Sequence, residues 1–145
     1  MIEQLLQPFQ LGSLTLPNRV VMTAVKLGYG SAEGKITEQH LAFYRRRAEG
    51  GVGLIATEPL FVHSSGREIP TQLRIDNDEV IDGLQSLTAT IHAGGALAMA
   101  HINHAGRAAN PKLVAPAEIM SSSSVLCPAN QVMPHPMDQD QIRQI

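Results

Sequence analysis

Tryptophan is absent from these 145 residues, aromatic side chains make up 3%, and Cys127 is the sole cysteine. One thiol cannot close an internal disulfide, which removes the small, staple-dependent secreted scaffolds from consideration. An excess of charge of one sign is also lacking: 11 basic against 13 acidic side chains give a formal net charge of -2. The strong basic surplus of a nucleic-acid binder is therefore missing. No apolar run approaches the ~20 residues that span a bilayer. The start, Met1-Ile2-Glu3-Gln4, lacks the basic residues and apolar stretch of a secretory leader. A cytoplasmic protein with no membrane or nucleic-acid partner is expected. What is present is a 43% hydrophobic chain of one domain's length. A compact fold of that size buries roughly 70% of the unfolded surface.

Alternating apolar residues around Gly12-Ser13 predict a β-hairpin that ends at Pro17. The β-branched run Arg19–Val25 predicts a strand near 20–25, of the kind covered on both faces. Thr37 stands at a helix N-cap, with Ile36 and Leu41 placed as a hydrophobic staple. Leu41, Tyr44 and Ala48 share one face of the helix, which runs near 38–49 and stops at Gly50-Gly51. A second buried-type strand follows near 52–57. The pattern then repeats: Asn77 or Asp78 caps a helix near 78–93 with a stripe of Val80, Ile81, Leu84, Leu87 and Ile91, and a third strand lies near 97–102. From Asn103 to Pro136 there are five prolines, a run of four serines and no periodicity, which reads as a long functional lid or linker. Asp138 caps a last helical start.

The expectation is an α/β fold with parallel strands joined by right-handed crossovers. Three strands leave two sheet edges open and one face uncovered. The pattern therefore predicts that residues 1–145 are the N-terminal part, the first three βα units, of a TIM (β/α)8 barrel with a lead-in β-hairpin; such barrels usually have about 250 residues.

Polar residues gather at the ends of the strands: Thr23 to Lys26, then Thr57-Glu58-Pro59, then His101-Ile102-Asn103-His104. Parallel sheets bind ligands at the strand C-termini. His101 and His104 are three apart and point oppositely from a strand, so no metal site is expected. His101 either hydrogen-bonds a cofactor or is satisfied by backbone groups. Lys26 is either a solvated loop lysine or the partner of an anion. Arg45-Arg46-Arg47 reads as a solvated helix surface, Cys127 as inert, and no G-x-G-x-x-G dinucleotide fingerprint is present.

Phe9-x-Leu11-Gly12-x-Leu14-Thr15-Leu16-x-Asn18-Arg19-Val20-Val21-Met22, Leu54-Ile55-x-Thr57-Glu58, His101-x-x-His104-Ala105-Gly106-Arg107 and Ala115-Pro116-Ala117 occur in order along the chain. Together they resemble the old yellow enzyme family of FMN-dependent oxidoreductases, in its 2,4-dienoyl-CoA-reductase-like branch. The resemblance implies a TIM barrel with FMN over the strand C-termini and NAD(P)H as reductant. Hydride would pass through FMN to an activated C=C bond or similar small-molecule acceptor. It further implies that Thr23, Ala24, Val25 and Lys26 lie along the flavin ring, mostly through backbone, with Pro59 beside it. Where the family usually has glutamine, this sequence has His101, whose positive charge would favour the reduced, anionic flavin. The residues that hold the FMN phosphate, bind substrate and donate the proton fall beyond Ile145 in the family pattern. The chain alone is therefore expected to bind FMN weakly. It is also expected to form a homo-oligomer or to pair with the missing C-terminal half. A non-catalytic remnant, or one subunit of a split gene, is the alternative.

Overall fold

The computed structural model describes residues 2–145. A single turn of helix, α1 (Ile2–Leu5), leads into an antiparallel hairpin of β1 (Phe9–Leu11) and β2 (Leu14–Leu16). Gly12, in the left-handed region at φ 59°, makes its tight turn. Three parallel strands follow in the order β3 (Val21–Met22), β4 (Leu54–Phe61), β5 (Leu97–Asn103). The crossovers contain α2 (Glu38–Glu49) and α3 (Ile81–Ala93), the latter entered through a 3-10 turn at Asp78–Val80 capped by the Asn77 side chain.

Both helices cover one face of the sheet. Tyr44 and Ala48 of α2, Leu87 and Ile91 of α3, Ile55 of β4 and Ala96 form the core, flanked by Met22, Ile36, Leu41 and Ala98. The helices approach so closely that a Cβ added at Gly94 would overlap that of Ala48. No helix among the described residues is long and apolar enough to cross a membrane.

Three expectations need correction. The first strand is only Val21–Met22, and Val21 is 45% exposed rather than covered on both faces. It has a neighbour on one side only, β4. The second strand does not close at Thr57-Glu58-Pro59 but continues to Phe61. Phe61 there donates its amide to Leu73 and accepts from Ile75, so a returning loop supplies the edge partner. Residues 103–136, read as a lid or linker, carry a small core of Ala109, Val114 and Ile119. A short parallel pair, β6 (Met120–Ser121) with β7 (His135–Pro136), and a buried Cys127 complete it. Alanines, valines and prolines scattered without period pack here through turns, which periodicity cannot report. After it, α4 (Gln139–Gln144) begins as the sequence predicts, with Asp138 accepting from the Gln141 amide.

Candidate cofactor site

β3, β4 and β5 point their C-terminal ends the same way, and a shallow groove runs across them. Val21, Thr23, Ala24, Ala56, Met99, Ala100, His101 and Ile102 line it. Beyond Met22 the chain leaves β3 without regular secondary structure. The amides of Thr23, Ala24, Val25 and Lys26 have no hydrogen-bond partner among the described residues; the next amide, Leu27, donates to a Glu58 carboxylate oxygen at 3.2 Å. Unpaired donors beside an apolar trough suit a flat ligand that carries acceptor atoms along its edge.

β4 contributes through a bulge. Its register with β5 passes from Ala56↔Met99 to Pro59↔His101, so one extra residue is accommodated. Pro59, which lacks an N–H, sits just past the irregularity. Thr57 is thereby turned so that its Oγ1 accepts the His101 amide at 3.2 Å and donates to the Glu58 carbonyl. Two side-chain nitrogens of β5, His101 Nδ1 and Asn103 Nδ2, are buried without a partner among the described residues. They lie two residues apart and hence on one face. Such unmet donors or acceptors at a strand end are what a bound polar group would satisfy.

Of the residues singled out from sequence, Thr23, Ala24 and His101 meet in the groove. Val25 lies beside them, half exposed. Lys26 turns away and pairs its ammonium with Glu68. Pro59 is the register partner of His101 but is buried outside the groove lining, its carbonyl accepting from Gln72. His104 stands apart from His101: its Nε2 meets Ser65 Oγ at 3.0 Å, and that hydroxyl meets His63 Nδ1 at 2.7 Å. Burial, and then the neighbouring His63, push the His104 ring below the usual histidine range.

Sequence reading missed the most enclosed polar cluster of the chain. His40 and Glu58 are 0% and 1% exposed, with His40 Nε2 2.5 Å from Glu58 Oε1. His40 Nδ1 accepts the Thr37 amide, which leaves Nε2 to carry the proton toward the carboxylate. The Glu58 amide in turn donates to the Tyr44 hydroxyl at 2.7 Å. Burial pushes the Tyr44 phenol up to about 12, so it stays protonated at neutral pH. One signal was available. His40 occupies the third helical position after the Thr37 cap, where a capping side chain belongs, and it lies one turn before Tyr44 on the buried face.

An α/β sheet with a ligand groove at its strand C-termini is the architecture of cofactor-binding oxidoreductases and many other enzymes. The particular family follows from sequence: residues 4–145 match the NADH:flavin oxidoreductase / NADH oxidase family, and the chain belongs to it. It is 35% identical over 127 residues to the NADH:fumarate oxidoreductase of Klebsiella pneumoniae, covering 87% of this chain and 14% of that protein. It is 31% identical over 145 residues to the NADPH dehydrogenase of Listeria welshimeri, covering 99% of this chain and 42% of the relative. Its fold matches the old yellow enzyme homologue of Zymomonas mobilis with a TM-score of 0.86 at 22% identity, over 97% of this chain and 41% of that one. The chain thus spans less than half the length of each of these relatives.

Proposed function

We propose that these residues are the first three βα units of an FMN-binding barrel whose whole protein reduces an activated C=C bond with NAD(P)H. The observation that carries this reading is the groove itself: Thr23 and Ala24, whose amides are unpaired, line a trough that also bears His101, with its unpartnered Nδ1. These groups fit a flavin, a flat apolar ring with acceptor atoms at its edge. When bound, FMN supplies the hydride chemistry.

The chain's own residues bind and tune. Thr23, Ala24, Val25 and Lys26 present backbone donors, Pro59 stiffens the wall behind His101, and His101 brings a titratable ring to the groove. Fumarate, in the name of one relative, is an activated alkene. That supports the acceptor class, with the 2,4-dienoyl-CoA-reductase-like branch as the nearest by motif. The open β3 and β5 edges support pairing with the remainder of the barrel or with a second chain, in a cytoplasmic protein.

Flavin titration followed by visible absorbance tests the reading. This chain should bind FMN, more weakly than a full-length relative does. In the flavin-loaded protein, His101→Gln should lower the midpoint potential by about 30 mV, equivalent to a tenfold change for a two-electron couple. No spectral change on adding FMN, or a potential that stays or rises, would count against it.

A further inference from the structure

Glu58 joins two elements that are far apart in sequence. Its Oε2 accepts the Leu27 amide and its Oε1 takes His40 Nε2, while His40 is tied at Nδ1 to the Thr37 amide at the start of α2. Thr37 also donates its hydroxyl to the Tyr29 carbonyl at 2.8 Å, so the segment after β3 is gripped at Leu27 and again at Tyr29. Leu27 is the first amide after the four unpaired ones, two of which belong to the groove-lining Thr23 and Ala24. A buried carboxylate needs donors, and here they are a neutral backbone amide and an imidazole rather than a lysine or arginine. Replacing the carboxylate by an apolar group would strand both donors in the interior.

We propose that Glu58 and His40 are positioning residues: by anchoring the chain at Leu27 they fix its course after β3 and so hold Thr23 and Ala24 in the wall of the groove. The role in cofactor binding rests on the proposed FMN site, whereas the grip on the loop does not. Glu58→Leu removes both acceptor oxygens. Glu58→Gln keeps an acceptor for Leu27. Tyr44→Phe removes a hydroxyl from the same cluster without touching either carboxylate oxygen, and controls for general loosening.

Hydrogen–deuterium exchange of the 145-residue chain, read on peptides covering residues 24–30 and 41–49, reports the grip without any ligand. Within 24–30 only the Leu27 amide is hydrogen-bonded among the described residues, so Glu58→Leu should speed the exchange of that one amide at least tenfold and leave 41–49 near wild type, with Glu58→Gln between the two and Tyr44→Phe unchanged. Exchange in 24–30 that stays at the wild-type rate in Glu58→Leu would overturn the proposal. So would exchange that rises equally in both peptides. FMN titration of the same proteins should show a tenfold or greater loss of affinity in Glu58→Leu, partly restored in Glu58→Gln. Unchanged affinity in both would overturn the positioning role. A wild-type chain that never binds FMN, with the exchange pattern as expected, would instead overturn the FMN reading and leave the grip standing.

Discussion

β4 and β5 run side by side in one parallel sheet, yet their surroundings are opposite. All eight residues of β4 are buried, whereas no residue of β5 is. Met99 is 48% and Ile102 64% exposed although both are apolar, whereas even the polar Thr57 and Glu58 of β4 are buried. The difference lies in neighbours. β4 has a strand on each side and α2 and α3 over one face, and the returning loop at Leu73–Ile75 meets its end. β5 has β4 on one side only. Side-chain character states what a strand can bury, and only the adjoining elements decide whether it does.

The sharpest way to break the comparison is a pair of truncations. Ile55→Ala in β4 should cost about 2–5 kcal/mol, while Ile102→Ala in β5 should stay within about 0.5 kcal/mol, both read from urea unfolding. Equal costs would mean that β5 is covered in solution. Gly94→Ala probes the helices that cover β4: driving a methyl into Ala48 should cost about 1–3 kcal/mol, again from urea midpoints. Ile102→Lys places a charge on the open strand and should shift the sedimentation profile toward monomer without changing the unfolding midpoint. An unaltered profile would show that this edge does not drive association.

The smallest effect is in pH. His104 titrates lower in the folded chain than when unfolded. The unfolded state therefore takes up more protons below its pKa of about 6.5, and stability is full above that pH and declines below it. The unfolding midpoint should fall between pH 7.5 and 5.5, less so in His104→Asn. A midpoint that rises on acidification would contradict this.

The helices were legible in the sequence because their signals are local. Thr37 and Asn77 start them and the paired glycines stop them, with each boundary within a few residues of the structure. The parallel order of the strands followed from the alternation. The length of β4 and its bulge did not, because both depend on Leu73–Ile75 and on β5, which no window around Thr57 contains. In the candidate site, the convergence of Thr23 and His101 was readable from strand ends alone. The Glu68 partner of Lys26 was not, and neither was the burial of His40. A histidine on a helix reads as solvated until Glu58 is known to stand opposite it.

The bulge in β4 works like a frameshift. Two residues on β4, Thr57 and Glu58, pass one on β5, Ala100, between Ala56 and Pro59, so the inward and outward positions exchange phase beyond that point. Upstream, Ala56 lines the groove and Ile55 enters the core; at the bulge the even-numbered Glu58 turns instead toward α2, where it meets His40. Deleting one residue from Thr57–Glu58 would restore plain alternation and rotate Leu60 and Phe61 to the opposite sides. It would also detach Thr57 from His101. Length variation in this strand is therefore unlike length variation in a loop. A homologue one residue shorter here would have to change the identity of every later β4 position in concert, so this tract should evolve as a unit of fixed length.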